Sequence, residues 1–385
     1  MHRFVSALVM LAAGLPVALA AQSSQFGIRG LGFPGRSTSV LGLGAGGAFA
    51  GFDATSSTNP AALGELRVFT ASFTVLQNYR SSRVVDVSQS GRDTRFPQMA
   101  VGGPVIGTPL ALGVSFSNLT DRDFILATSS TVPIRGTPVE VDDTLTSTGG
   151  LSDLRFAGAY DVAGWSLGAG VHIITGSNRV QLRRTFADSV YAPVSQRSEI
   201  SYAAAGFSAG VSRPVGTRLA VNATFRINGS ASVDRDSARV AEIDLPVSFG
   251  AGIMWRPSPR LRIAGQALAR QWGSADEALR ALGGTGAVNT IDLAAGLEYT
   301  RNARRPLHQP IRFGARFATL PFPVESGARV REFGLSIGTG LRFAQDRLGI
   351  DHAGVDLSLE RVWRGSRGGL RENAWLLGIG VTVRP

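Results

Sequence analysis

The chain of 385 residues has 39 basic and 28 acidic residues, 48 glycines, 44% hydrophobic residues and no cysteine. This composition excludes a disordered chain, a disulfide-stapled domain and thiolate metal sites. The net charge of +11 would suit nucleic acid, but no basic run exceeds two residues and none is interleaved with aromatic residues, so no nucleic-acid partner is expected.

Residues 1–21 predict a signal peptide. Arg3 precedes an apolar stretch that runs to about Leu19, and small residues follow at Ala20 and Ala21. A membrane anchor is the alternative, but the apolar run is short and is broken by a glycine and a proline. We therefore expect cleavage after Ala20 or Ala21 and export from the cytoplasm.

Residues 22–66 are too rich in glycine and alanine to fold alone, and they end in an Asn-Pro-Ala turn signal. The motif residues in this stretch are Gly42, Gly44, Gly46, Gly47, Ala48, Phe49, Ala50, Asp53, Ala54, Asn59, Pro60 and Ala61. This run resembles the opening of FadL-type outer-membrane transporters, which carry hydrophobic compounds such as long-chain fatty acids, and of the related PorV-like barrels. The resemblance implies that residues 22–66 form a hatch inside a barrel.

From residue 67 to residue 385 the dominant period is two, which is typical of strands with one apolar face. Each segment is about 9–12 residues long, the length that a tilted strand needs to cross a bilayer. Fourteen segments are predicted, over residues 67–77, 94–102, 109–119, 153–161, 165–174, 200–211, 218–228, 245–255, 261–270, 290–300, 310–319, 331–342, 354–363 and 375–384. The best helical candidate, residues 275–282, covers about two turns.

The connections alternate between tight turns, such as 162–164, and long polar stretches, such as 120–152 and 175–199. Short turns on one side and long loops on the other are typical of an outer-membrane barrel. We therefore predict an all-β fold: a transmembrane antiparallel β-barrel of about 14 strands with an N-terminal hatch. Aromatic residues near strand ends would form interfacial girdles: Phe69, Tyr160, Trp165, Trp255, Tyr299, Trp363 and Trp375.

The face opposite the apolar one is mostly Gly, Ala and Ser with occasional charges, which suits a barrel lumen better than the outer surface of a soluble sandwich. Four arginines on this face could bind a carboxylate headgroup: Arg226, Arg262, Arg312 and Arg342. The alternative is that they pair with acidic residues of the same face and brace the barrel. That alternative is favoured because acidic residues lie on the same face as the arginines. These acidic residues are Asp292, Glu298, Asp356 and Glu360.

Several motifs resemble catalytic or cofactor sites without the required context. Two serines, Ser208 and Ser336, have the Gly-x-Ser-x-Gly spacing of a nucleophile elbow, but both lie within predicted strands. The histidines His172, His308 and His352 are dispersed, and none pairs with a serine or carboxylate in the local pattern. We therefore expect no enzyme, no metal site and no cofactor.

Two functions remain open. The first is passive uptake of a hydrophobic small molecule across the outer membrane of a Gram-negative bacterium. The second is a PorV-like role as the binding component of a protein secretion or surface-attachment system. For either role the expected partners are outer-membrane lipid, lipopolysaccharide and the barrel-assembly machinery.

Overall fold

The computed structural model describes residues 24–84, 87–302, 309–324, 329–345, 351–366 and 369–385. The predicted signal peptide and His308 lie outside the described residues. The described strands are β1 (Phe33–Pro34), β2 (Thr70–Val84), β3 (Val87–Pro104), β4 (Leu110–Asp121), β5 (Phe124–Ile134), β6 (Thr137–Val162), β7 (Trp165–Phe186), β8 (Val194–Val215), β9 (Leu219–Asn228), β10 (Ser230–Arg235), β11 (Ala238–Asp244), β12 (Ser248–Ser258), β13 (Leu261–Arg270), β14 (Thr290–Thr300), β15 (Pro310–Leu320), β16 (Val330–Gln345), β17 (Asp351–Gly365) and β18 (Arg371–Val383).

Helices are few and short. The α-helices are α1 (Val40–Leu43) and α2 (Asp276–Ala281), and 3-10 turns occupy Gln25–Gly27, Ala50–Phe52, Pro60–Glu65 and Trp272–Ala275. The helical candidate at 275–282 therefore coincides with α2. No helix in the described ranges has the length and apolar character to cross a membrane.

Fourteen strands close into an antiparallel barrel, as predicted: β2, β3, β4, β6, β7, β8, β9 and β12–β18. Closure is made by β18 and β2, which pair from Arg371 opposite Arg83 to Val383 opposite Ala71. The other strands are additions to this wall. β5 folds back on β6, and β10 and β11 form a hairpin beside β8.

The strands on one side of the barrel are much longer than predicted. β6 has 26 residues and β7 and β8 have 22 each, whereas a tilted strand crosses a bilayer with about 9–11. Most of the stretches interpreted as loops at 120–152 and 175–199 are therefore paired strand. That interpretation was wrong because it took polar composition as a sign of a loop. Strands that pair with each other beyond the bilayer need no apolar face, so they can be polar.

The outer face of the barrel is apolar. On β16 and β17, Phe333, Leu335, Ile337, Leu357 and Leu359 are each more than a third exposed. A continuous surface of this kind is unfavourable in water and is the surface that a bilayer covers. The predicted girdle residues all point outward, with Phe69, Tyr160, Trp165, Trp255 and Tyr299 towards the end with tight turns and Trp363 and Trp375 towards the other end.

Residues 24–66, the N-terminal segment, run through the barrel interior. α1 packs against β16, β17 and β18, whereas the 3-10 turn at Pro60–Glu65 packs against β6, β7 and β8. β1 pairs with β4, with Phe33 opposite Asp121. The segment therefore crosses the lumen from one wall to the opposite one.

The end with long connections is closed by a buried apolar cluster. Trp272 and Phe322 meet edge to face with ring centroids 5.1 Å apart. Leu31 of the N-terminal segment, Ile243 of β11 and Leu279 of α2 belong to the same cluster. This packing joins the N-terminal segment to the long connections at that end.

Candidate functional site in the barrel interior

The inner wall of β13–β18 carries a network of ion pairs. Glu298 accepts hydrogen bonds from Arg262 at 2.9 Å and from Arg312 at 2.8 Å. Asp356 binds Arg312 at 2.8 Å and Arg342 at 2.9 Å. Three of the four predicted ligand-binding arginines are thus paired across neighbouring strands, in the bracing arrangement.

A second set of ion pairs continues the network towards the other end of the barrel. Arg316 binds Asp292 at 2.9 and 2.7 Å and also contacts Glu332. Arg364 contacts Glu332 and binds Glu372 at 2.6 Å. The N-terminal segment joins this wall, since its Arg36 binds Glu360 and its Ser24 hydroxyl donates to Glu372 at 2.8 Å.

The predicted hatch motif lies against the smallest residues of the wall. A Cβ added to Gly44 would lie 3.0 Å from Gly338, and one added to Gly46 would lie 3.0 Å from the Ala315 backbone. Gly46 and Gly47 also have positive φ values of 69° and 95°, which favour glycine. Small residues here let the segment approach the barrel backbone. Gly42 lies in α1, where its N–H donates to the Ser39 hydroxyl at 3.3 Å.

The rest of the motif shapes the segment itself. Asp53 accepts hydrogen bonds from the Thr55 N–H at 2.9 Å and the Thr55 hydroxyl at 2.7 Å. Asn59 accepts from the Ala61 N–H at 3.0 Å, and Pro60 begins the 3-10 turn. This is the turn that the Asn-Pro signal predicts.

Two small cavities lie beside the segment, with volumes of about 120 Å³ for cavity 1 and about 80 Å³ for cavity 2. Apolar lining comes from Leu43, Leu119 and Leu268 in cavity 1 and from Leu76 and Leu376 in cavity 2. Both cavities are lined by the same group of residues: Pro34, Gly35, Arg36, Arg270, Trp272, Asp292 and Arg316. Residues 34–36 of this group belong to the N-terminal segment, and displacing them would join the two cavities.

Arg270, the last residue of β13, differs from the other arginines of the two cavities. Its guanidinium has no hydrogen-bond or ion-pair partner within the described part of the chain. It interacts electrostatically with Asp292, but that carboxylate already accepts two hydrogen bonds from Arg316. Sequence analysis missed Arg270, although the alternation of β13 places it on the same face as Arg262.

Arg226, the fourth predicted arginine, lines cavity 1. Its Nη1 donates to Asp153 at 2.6 Å and its Nε donates to Asn228 at 2.8 Å. Arg262, Arg312 and Arg342 line neither cavity. The structure therefore brings only Arg226 of the four to a cavity.

His172 does pair with a serine and a carboxylate, contrary to the expectation from the local pattern. Its Nδ1 lies 2.8 Å from Asp153 Oδ1, and its Nε2 lies 2.8 Å from Ser208 Oγ. The three residues come from adjacent strands β6, β7 and β8 and are 1–4% exposed. The sequence did not reveal the group because strand register, not local spacing, brings it together. Ser336 follows the expectation, since its hydroxyl donates to backbone oxygens of Gly44 and Gly314.

Comparison with known proteins gives structural matches only, because no family model and no curated protein matches the sequence. A Pseudomonas aeruginosa FadL homologue superposes with a TM-score of 0.62 at 14% identity, over 91% of this chain and 99% of the other. The fold is that of the FadL-type channels. The FadL-type barrel is shared by CymD, a monoaromatic hydrocarbon channel, with a TM-score of 0.58 at 15% identity over 91% and 98% of the two chains. It is also shared by the P. putida toluene transporter TodX, with a TM-score of 0.55 at 12% identity over 92% and 99%.

Proposed function

We propose that this chain is an outer-membrane channel for the passive uptake of hydrophobic small molecules, with its N-terminal segment as the hatch. The observation that carries the proposal is a closed FadL-type barrel with an apolar outer face, whose interior cavities lie beside a segment threaded through the lumen. Passage needs no covalent step, so the channel requires neither catalysis nor a cofactor for uptake.

The cavities favour an amphipathic ligand with an anionic head. Arg270 offers its N–H donors to a carboxylate, and Trp272 and Leu268 offer apolar contact beside it. An apolar cavity of about 150 Å³ holds a benzene ring. Cavity 1, with about 120 Å³, is of the same order, so we propose a single ring or a short alkyl segment against its leucines. The toluene transporter TodX and the hydrocarbon channel CymD share this fold, which supports ligands of that size. A long-chain fatty acid, the larger ligand we propose, requires the two cavities to join.

An interruption in the pairing of β3 with β4 supports an exit from the barrel towards the bilayer. β3 pairs with β4 only from Gln98 to Pro104, and its earlier part pairs with β2 alone. Pro97, where β3 leaves β4, lines cavity 2. β1 pairs with the edge of β4 that β3 leaves open. Withdrawal of β1 with the N-terminal segment would free this edge and connect cavity 2 with the lipid.

The test is uptake by a Gram-negative strain that lacks its own fatty-acid channel. The strain carries the intact gene or a deletion of residues 42–61, and labelled oleate and labelled toluene are supplied separately. Uptake with the intact gene, lost or deregulated in the deletion, supports a hatch-gated channel. No uptake of either compound, from protein that is folded in the outer membrane, contradicts the proposal. Uptake of toluene alone restricts the ligand to ring-sized compounds.

The PorV-like role remains our second proposal, and one observation favours it. β6, β7 and β8 extend far past the length needed to cross the bilayer, and β5 pairs with the extended part of β6, which presents a paired, polar sheet to a protein partner. Shortening the β5–β6 hairpin discriminates between the two roles. A transporter would retain uptake, whereas a secretion component would lose surface attachment of its cargo.

A further inference from the structure

Asp153, His172 and Ser208 have the hydrogen-bond order of a nucleophilic serine site. His172 Nδ1 lies 2.8 and 3.0 Å from the two Asp153 oxygens, and Nε2 lies 2.8 Å from Ser208 Oγ. Because a carboxylate only accepts, Nδ1 carries the proton, and in the neutral imidazole Nε2 is then the acceptor that faces the Ser208 hydroxyl. This tautomer lets His172 take the hydroxyl proton as the serine oxygen attacks. The three side chains share the inner face of the wall.

Arg226 completes the group. Its Nη1 holds Asp153 at 2.6 Å, while its Nη2 is buried without a partner among the described residues. Arg226 lies directly opposite Ser208 in the register of β8 and β9, so the two side chains are neighbours on one face. The free Nη2 donor is therefore placed to stabilise negative charge on an oxygen bound beside Ser208.

Residues 57–61 of the N-terminal segment cover this part of the wall. Arg155 donates to the Ser57 carbonyl at 3.0 Å, and the Ser166 hydroxyl donates to the Ala61 carbonyl at 2.8 Å. The Asn59 side chain lies against Gly210, two positions from Ser208 on the same strand. Ser57 and Arg226 line cavity 1, whereas Ser208 lines neither cavity 1 nor cavity 2.

We propose that Ser208, His172 and Asp153 form a nucleophilic serine site for small carboxylic esters, which residues 57–61 cover in this conformation. This activity goes beyond the proposed transport. Ser208 Oγ attacks the ester carbonyl carbon while its proton passes to His172 Nε2. The bond to the leaving alkoxide breaks, and the alkoxide takes that proton and departs as the alcohol. Water then attacks the acyl-serine through His172, which releases the acid and restores the Ser208 hydroxyl.

The chain contains its own control for this site. Ser336 has the same Gly-x-Ser-x-Gly spacing and also lies under the N-terminal segment, but it bonds to backbone oxygens instead of a histidine. If Ser208, like Ser336, only makes structural hydrogen bonds, the two serines should be equally reactive towards a serine-directed probe. A nucleophilic site predicts reaction at Ser208 alone, because only Ser208 has a base.

The experiment treats the folded full-length barrel in detergent with a fluorophosphonate probe and maps the adduct by peptide mass spectrometry. We expect a slow adduct at Ser208 and none at Ser336. Asn59→Ala, which removes the side-chain hydrogen bonds to Gly51 and Ala61 that shape the cover, should speed labelling of Ser208. His172→Gln should slow it about 100-fold or more, the contribution of a general base. Ester hydrolysis is then followed with p-nitrophenyl butyrate and should be lost in Ser208→Ala and retained in Ser336→Ala.

Three results would overturn the proposal. The first is no adduct at Ser208 in either the native protein or Asn59→Ala. The second is equal labelling of Ser208 and Ser336 in the native protein, which needs no variant to fold. The third is a labelling rate that His172→Gln leaves unchanged in a barrel whose heat-modifiable mobility on gels shows that it is folded. Uptake of oleate and toluene is measured in a separate assay. A failure of the transport proposal would therefore not change the labelling result at Ser208.

Discussion

The two sides of the barrel interior handle charge in different ways. On β13–β18, Glu298 and Asp356 each bridge two arginines, and Arg312 between them is fully buried. On β6–β9, Asp153 instead holds one arginine and one histidine. Among the described residues, both sides keep buried arginine donors without a partner, Arg226 Nη2 here and Arg312 Nη2 and Arg342 Nε on β13–β18, but of these three arginines only Arg226 lines a cavity.

This difference separates bracing from binding. An arginine such as Arg312, which pairs with carboxylates on neighbouring strands and lines neither cavity, contributes to holding those strands together. A donor beside a cavity that has no partner within the described ranges, such as the Arg270 guanidinium or Arg226 Nη2, can still bind a ligand. The role of an arginine in this lumen therefore depends on its partners and on whether it lines a cavity, and its position on the inner face reveals neither.

The largest effect is expected from breaking the ion pairs of β13–β18. Arg312→Leu leaves Glu298 and Asp356 each short of a partner, and removing one member of a buried ion pair costs about 3–5 kcal/mol. We expect a large loss of folded, heat-modifiable barrel and a lower urea midpoint. Arg239→Leu is the control, because its ion pairs are exposed and contribute about 0–1 kcal/mol. Equal stability of the two variants would contradict the bracing role.

Arg270→Gln should change binding and leave stability intact. A hydrogen bond to a charged group contributes about 1.5–3 kcal/mol, which corresponds to about 10- to 100-fold in affinity. Calorimetry with octanoate and octanol separates charge from chain contact, since only octanoate has a carboxylate. We expect the loss for octanoate alone. A similar loss for both ligands would assign Arg270 to shaping the cavity.

The N-terminal segment can be loosened on either wall separately. Ser166 on β7 donates to Ala61, and Ser336 on β16 donates to Gly44. One such hydrogen bond contributes about 0.5–1.5 kcal/mol, so each alanine variant should raise local amide exchange about 2- to 10-fold. Ser166→Ala should act near Ala61 and Ser336→Ala near Gly44. Exchange that rises along the whole segment in both variants would show that it moves as one unit.

The smallest effect is expected at α2, outside the barrel wall. Two hydrogen bonds lower the pKa of the Asp276 carboxyl. The larger effect comes from the Arg280 side chain and the next from the Ala287 N–H, which donates at 2.8 Å. Because the folded pKa is lowered, this stabilisation is present above the usual aspartate pKa of about 4 and is lost as the pH falls through the folded value. Amide exchange in α2 should rise in acid. Asp276→Asn should abolish that pH dependence, and a persisting one would assign it to another group.

Much of the fold could be predicted from the sequence because a strand with one apolar face shows a pattern among neighbouring residues. Alternation with a period of two is a property of neighbouring residues, so it located fourteen barrel strands and separated the outward face from the inward one. Closure, an apolar belt and aromatic ends follow from that pattern and from the demands of a bilayer. The turn at Asn59–Ala61 has an equally local cause.

Side-chain pairing between strands was decided only by the tertiary structure. Asp153 and His172 are 19 positions apart, and His172 and Ser208 are 36 apart, yet strand register makes them neighbours. Period-two alternation puts Arg270 and Arg312 on the inner face alike, but it does not say which one meets a carboxylate. The physical reason is that alternation sets the direction of a side chain, whereas its partner depends on the register between strands and on the path of the N-terminal segment through the barrel.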